Sequence, residues 1–229
     1  MLNSLRATRT WAVRFGLTAV LGLPGWAAHA EALADIKPEL LADLKRLPVV
    51  NTEFPTPAFR WSLETTRSFR GKRVTTETWQ PSANGLAQVT VEDPSRSPGD
   101  RVIERVSLRG LMYVRTGEQK SGVQFGNLRL PIQPGDKFAV TISREGRTMT
   151  KRCVAQEREP AAKLHPAIPG NYVPIDCLGE TQYRGMNLKA DGDFAWIEAL
   201  NLIFFPSESV DYGAGTFVQR VRISAFQLR

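Results

Sequence analysis

Two cysteines and two histidines in 229 residues leave little of the usual chemistry of sites. With so few soft ligands, a four-coordinate structural zinc is out of reach unless carboxylates complete the set. No Gly-x-Ser-x-Gly elbow, phosphate-binding P-loop or complete dinucleotide fingerprint occurs, so acyl-transfer and nucleotide enzymes have no starting point. Gly213-Ala214-Gly215 lacks both the third glycine and the strand-then-helix setting of such a fingerprint. Asp191-Gly192-Asp193 lacks the further ligands and closing glutamate of a calcium loop and reads as a turn. No Gly/Ser linker, low-complexity tract or repeat divides the chain. No apolar run reaches the eighteen or so residues of a spanning helix.

What is present first is an export leader. Arg6, Arg9 and Arg14 precede a short apolar run, Phe15 to Leu23, which Pro24 and Gly25 end, and Ala28-His29-Ala30 is a small-residue cleavage site. Residues 1–30 therefore read as a Sec-type signal peptide cut after Ala30, with the remaining chain periplasmic or secreted. Position 31 is Glu rather than Cys, which argues against a lipid anchor, and the leader has no adjacent arginine pair. The leader holds three arginines and no acid, so its loss lowers the formal charge from +7 to +4 and leaves 199 residues. That is only mildly basic. A chain of this size buries roughly 70% of its unfolded surface and folds without a metal or dense disulfides.

Residues 31–57 are expected to form an N-terminal helix and an extended connector. Leu40, Leu41, Leu44 and Leu47 recur at helical spacing between Ala34 and Leu47, and Pro48, Pro55 and Pro57 hold the connector extended. From residue 58 to 229 the period changes to two, with turn signals every eight to twelve residues or so, which predicts one mainly β domain. The expected architecture is an antiparallel β-sandwich or partly closed barrel of about ten strands. Phe59, Trp61 and Leu63 share one face of the first strand. Gly110 reads as a bulge between two strands, and Asp93 to Asp100 as a polar loop. A two-residue loop at Glu145-Gly146 pairs Arg144 with Arg147, sets Ile142 opposite Met149 and Phe138 opposite Cys153, and puts Lys151 beside Val140. That last pairing is a misfit, explained by slippage or by an edge position. Phe194 to Phe205, apolar on both faces, reads as a buried central strand, with a helical turn as the alternative. The final strand, Thr216 to Leu228, turns Phe217, Val221, Ile223 and Ala225 inward.

Cys153 and Cys177 both lie on apolar strand faces, and in an oxidising compartment they are expected to form a disulfide. In the chain-entropy account a loop of that length adds about 3 kcal/mol. The pair encloses a stiff, proline-rich segment containing Lys163, Leu164, His165, Pro166 and Ile168. This is the candidate binding loop, because a loop held at both ends binds with little ordering cost. The competing reading is a cover over an open end of the sheet.

No residue is assigned as catalytic or metal-ligating, and no cofactor is implied. His165 is the one histidine after the leader, and it precedes a proline in the stiff loop, which suits capping better than base catalysis. Glu64, Glu77, Glu92 and Glu198 are acids of the type a glycosidase uses, and Glu198 stands out as a candidate buried acid because it interrupts an apolar run. Arg67, Arg70, Lys72 and Arg73 cluster near a hairpin end. For a modestly charged, exported protein, anionic lipid or acidic polymer is a more reasonable partner than nucleic acid. The sequence thus supports an exported, non-enzymatic β-domain that binds an envelope lipid, a glycan, an apolar ligand or a protein partner, with no transmembrane segment after cleavage. A hydrolase of envelope material is the alternative, and a small outer-membrane barrel ranks third because of its polar and proline-rich loops.

Two outcomes check this reading on protein recovered from its host. N-terminal sequencing is expected to begin at Glu31, and a thiol-reactive probe applied before reduction is expected to label nothing; an intact leader or two reactive thiols would overturn it.

Overall fold

The computed structural model describes residues 56–81, 86–115, 121–144, 147–183, 186–213 and 215–229. They form one large, mainly β, antiparallel sheet. Its strands are β1 (Phe59–Arg67), β2 (Gly71–Pro81), β3 (Ala87–Glu92), β4 (Val102–Leu108), β5 (Met112–Arg115), β6 (Ser121–Gly126), β7 (Lys137–Arg144), β8 (Arg147–Ala155), β9 (Glu159–Pro160), β10 (Asn171–Tyr183), β11 (Met186–Ile197), β12 (Leu202–Asp211) and β13 (Thr216–Leu228). The spatial order is β5-β4-β3-β2-β1-β13-β12-β11-β10-β8-β7-β6, with the short β9 set against β10. The helix expected over Ala34 to Leu47 lies outside the described residues.

Two meanders meet in the middle of this sheet. One runs outward from β1 to β5, the other runs inward from β6 to β13, and β13 then pairs with β1. The edge strands β5 and β6 are consecutive in sequence, so Arg115 and Ser121 lie within roughly 22 Å by chain reach alone. They do not pair with each other, and the sheet is not closed. The strand ends Arg67, Glu92, Arg144, Tyr183 and Asp211 fall at one end of the sheet, and Pro81, Leu108, Ala155 and Ile197 at the other.

The expected β7–β8 register is observed: Arg144 opposes Arg147, Ile142 opposes Met149, and Phe138 opposes Cys153. Lys151 does oppose Val140, but neither slippage nor an edge explains it, because β8 is paired on both sides. Lys151 is 1% exposed. Its side chain runs across β10 and β11 to reach Glu208 of β12, with Nζ 3.0 Å from Oε1 and 5.3 Å from the centre of the Phe194 ring. Two glycines leave room for that path. A Cβ on Gly179 would stand 2.8 Å from Lys151 Cα and 2.1 Å from the Thr150 carbonyl oxygen, and one on Gly192 would stand 2.9 Å from Nζ. Asp191-Gly192-Asp193 is therefore not a turn but the middle of β11, where the glycine passes beneath an ammonium group.

Other expectations are corrected by long-range packing. Gly110 is not a bulge within a strand: Arg109, Gly110 and Leu111 make the three-residue turn between β4 and β5, the first two with positive φ, and Leu111 N–H is bonded to Leu108 O at 2.9 Å. This turn packs on Ile203, whose N–H donates to Arg109 O at 2.9 Å. A Cβ at position 110 would meet the Ile203 carbonyl oxygen at 2.0 Å. For Phe194 to Phe205 the alternative holds: a helical turn interrupts the run, which is not one strand. It is the end of β11, a 3-10 turn at Glu198–Leu200, and the start of β12, reversed through Asn201 at φ 47°. Both faces are buried because this hairpin separates two cores. Phe194, Trp196 and Ile203 join the cluster of β7, β8 and β10, whereas Ala195, Ile197, Leu202 and Phe204 join the cluster of Phe59, Trp61 and Trp79. Ala225 faces solvent, since a register shift opposite Ser62/Leu63 restores the apolar face at Phe226.

Cys153 and Cys177 oppose each other directly across β8 and β10 and form a buried disulfide. Substitution separates crowded glycines from open ones. Gly179→Ala is expected to cost about 2–3 kcal/mol in urea unfolding, because backbone atoms block the new methyl, whereas Gly99→Ala, with nothing within 4 Å, is expected to be neutral to within a few tenths. Equal effects of the two would contradict the packing described.

Candidate functional site

A cavity of about 420 Å³ lies on the face formed by β1, β2 and β13 and is bounded on the other side by β12, Met149 of β8 and the β4–β5 turn. Period-two alternation supplies its wall. Trp61, Leu63, Thr65 and Arg67 point in from β1, and register places Glu77, Thr75 and Arg73 of β2 opposite the first three. On the other flank, β13 puts Val221 beside Thr65 and Gln219 beside Arg67. Burial falls along this direction. Trp61 is 2% and Leu63 9% exposed, and Thr65 and Arg67 are partly exposed. The apolar floor therefore lies toward Trp61 and Phe204, and the polar mouth toward the β1–β2 turn.

The floor is aromatic. Trp61 lies 5.5 Å from Phe204 and 4.9 Å from Phe59, ring centre to centre, and Trp79 stacks on Phe59 at 5.4 Å. Glu77 sits among them, 6% exposed. Its Oε2 accepts the indole N–H of Trp61 at 2.9 Å and that of Trp79 at 3.1 Å. Burial drives its carboxyl above the ordinary glutamate value, against the pull of the two indoles and the Arg105 charge.

The mouth is cationic. Of the charged side chains lining the cavity, Arg67 and Arg73 stand at the mouth, Arg105 lies level with Trp79 near Glu77 at the floor, and Glu208 is the second acid. Glu208 is engaged by Lys151. Arg73 is bound to the Asp93 carboxylate, yet its buried Nε has no hydrogen-bond partner among the described residues. Arg67 Nε donates to the neutral Gln219 amide oxygen at 2.7 Å. Burial and the nearby charges of Arg73 and Arg70 lower the Arg67 pKa. Among the described residues no carboxylate forms an ion pair with Arg67, so the mouth carries a surplus positive charge.

Asp93 organises the loop that closes this corner. Its buried carboxylate accepts from Arg73, from Arg96 Nε at 2.8 Å, and from Ser95 Oγ at 2.6 Å and N–H at 3.2 Å. Burial works to raise its pKa, but the Ser95 and Arg73 hydrogen bonds prevail and hold it at about 2. The polar stretch Asp93 to Asp100 is thus an Asx-turn leading into a short 3-10 turn at Pro98–Asp100.

The residues singled out from sequence lie elsewhere. Ala161 and Ile168 of the stiff loop are buried against the Phe59 core, with Leu164 packed beside them, so the segment covers the sheet end opposite the mouth. Lys163 pairs with Glu159 at 3.0 Å, Pro166 is exposed, and His165 Nδ1 accepts the Ala167 N–H at 3.2 Å with its ring 6.4 Å from Phe226. None of these lines the cavity. Glu198 is not a buried acid: it stands in the β11–β12 turn, its side chain 30% exposed, paired with Arg158 at 2.7 Å. Two acids are buried instead, Asp93 in its loop and Glu77 among the floor aromatics. The signal for Glu77 was a charge at the apolar parity of β2, two residues before Trp79 and, by register, opposite Trp61.

Among the described residues no group of three or more His, Cys, Asp or Glu side chains could hold a metal ion, and no helix is long and apolar enough to cross a membrane. Comparison of the chain with protein-family models, with curated proteins and with solved structures finds no match.

The two carboxylates predict opposite pH dependences. For Glu77 the folded pKa exceeds the ordinary 4.5, so the wild type loses stability relative to Glu77→Gln as pH rises from 4.5 through the raised value. For Asp93 the folded value is about 2 against an ordinary 3.8, so the wild type gains on Asp93→Asn as pH rises through that window. Urea midpoints measured from pH 2 to 7 read both slopes; a slope of the other sign at either site would refute its assignment.

Proposed function

We propose that the protein is an exported, non-enzymatic binding domain that holds an amphipathic ligand, apolar chain inward and anionic head outward, in the cavity between Trp61 and Arg67. One observation carries this reading: a single face grades from tryptophan and phenylalanine at the floor to an arginine at the mouth that has no anionic partner among the described residues. The volume falls within the range of small-molecule sites, about 300–1,000 Å³. An apolar chain gains from burial against the aromatic floor. A carboxylate or phosphate gains charge-assisted hydrogen bonds from Arg67 and from the unsatisfied Arg73 Nε.

In this reading the sheet works as a partly closed barrel, with Arg115 of one edge and Ser121 of the other no more than roughly 22 Å apart and the lumen kept for the ligand. Export is supported by the leader and by the disulfide, which persists in oxidising compartments. The envelope then supplies ligands of the right chemistry. A hydrolase gains no support from the cavity, since neither His165 nor Glu198 lines it and Glu77 is already engaged by two indoles.

The test is a titration of the mature chain with dodecanoate, dodecyl phosphate, dodecanol and dodecyltrimethylammonium below micelle formation, read by tryptophan fluorescence. The two anions are expected to bind tightest, and Arg67→Gln is expected to weaken them about tenfold or more while leaving dodecanol unchanged. Absence of a response to all four would overturn the proposal.

A further inference from the structure

The tip of the β1–β2 hairpin breaks two local rules at one residue. Arg67 to Arg70 form a turn closed by Arg70 N–H to Arg67 O at 3.3 Å, and its third residue, Phe69, has φ 68°. That position in a turn of this kind belongs to glycine, and a bulky side chain there is strained. Burial does not offset the strain, for Phe69 is 91% exposed, the largest exposure among the described large hydrophobic residues. A glycine would remove the strain and the exposed ring together. Violations of this sort gather where a residue serves something outside the fold.

The surroundings indicate what that something is. Arg67, Arg70, Lys72 and Arg73 flank the ring, and no acid occurs between positions 67 and 73. Arg70 and Lys72 are exposed, and Lys72, its side chain 57% exposed, shares the Glu64 carboxylate with Arg222, at 2.7 Å and 2.9 Å, so that group keeps a net positive charge. The neighbouring β12–β13 turn, brought alongside by Ser68 N–H to Val218 O at 2.9 Å, presents Tyr212 at 47% exposure. Aromatic side chains among arginines and lysines match the interface of an anionic bilayer, where rings seat at headgroup level and cations meet lipid phosphates.

We infer that this hairpin tip docks the protein on an anionic lipid surface, Phe69 entering the headgroup layer while Arg70 and Lys72 contact phosphate. Arg67 and Arg73, at the two roots of the tip, also line the cavity mouth. Docking therefore sets the mouth against the membrane. The inference stands on the tip, independently of whether the cavity holds an amphiphile.

Flotation with vesicles of phosphatidylglycerol and phosphatidylcholine, against phosphatidylcholine alone, tests it on the mature chain. Partition onto the anionic vesicles is expected to be about tenfold or more stronger and to weaken as salt shortens the screening length from about 10 Å to about 3 Å. Phe69→Gly is expected to lower that partition about tenfold, with a urea midpoint equal to or above wild type. Arg70→Glu with Lys72→Glu is expected to abolish it. Equal partition onto both vesicle types, or wild-type partition by Phe69→Gly, would overturn the inference; the latter assigns the exposed ring to another partner. Dodecanoate binding by Phe69→Gly separates the two readings: binding retained with partition lost supports docking, whereas partition without amphiphile binding in the wild type leaves docking standing and removes the cavity proposal.

Discussion

An ammonium group buried on β8 is tolerable only if an anion reaches it, and the anion is three strands away. Lys151 meets Glu208 by lying flat across β10 and β11, which requires that Gly179 and Gly192 carry no side chain at the crossing points. Losing one partner of a buried ion pair typically costs about 3–5 kcal/mol, so the pair penalises any slip of these four strands. It also decides the electrostatics of the cavity. With Glu208 neutralised from behind and Glu77 held by two indoles, the lining acids are engaged and the Arg67 charge is left to face the opening.

Local patterns carried much of this fold into the sequence. Alternation around Glu145-Gly146 fixed the β7–β8 register, which placed Cys153 on the buried face and made its bond to Cys177 readable. The same alternation exposed Lys151 as a misfit without showing its remedy, because Glu208 is 57 residues further along. Asp191-Gly192-Asp193 looked like a turn for a related reason: a glycine between two aspartates is a local turn signal, whereas its pairing with β10 and β12 and the lysine lying over the glycine are long-range. The apolar run from Phe194 to Phe205 carried no period that could reveal the reversal at Glu198–Leu200.

The site was legible in fragments. Arginine and lysine near the β1–β2 hairpin and the acid Glu77 were visible by type, but their convergence depends on how a sheet curls, which is summed over many strands and written in no one segment. The loop around His165 stood out instead, because its prolines and disulfide suggested a presented surface. Its Ala161 and Ile168 serve to cover a core. Glu198 stood out by interrupting an apolar run, and it does so because the chain leaves the sheet there to turn, where Arg158 is within reach.

The pairing of β1 with β13 joins the two sequence-distant flanks of the described fold at the centre of the sheet, and Arg229 N–H reaches Ala58 O at 3.0 Å. A polypeptide relinked from Leu228 to Phe59 and opened between Arg115 and Ser121 would meet the same strands in spatial order, each beside its predecessor save the small β9. Such a circular permutant turns the most remote ladder of the molecule into an ordinary hairpin, and since remote pairings slow the search for the native state, the natural order of the chain is the slower way to assemble this architecture.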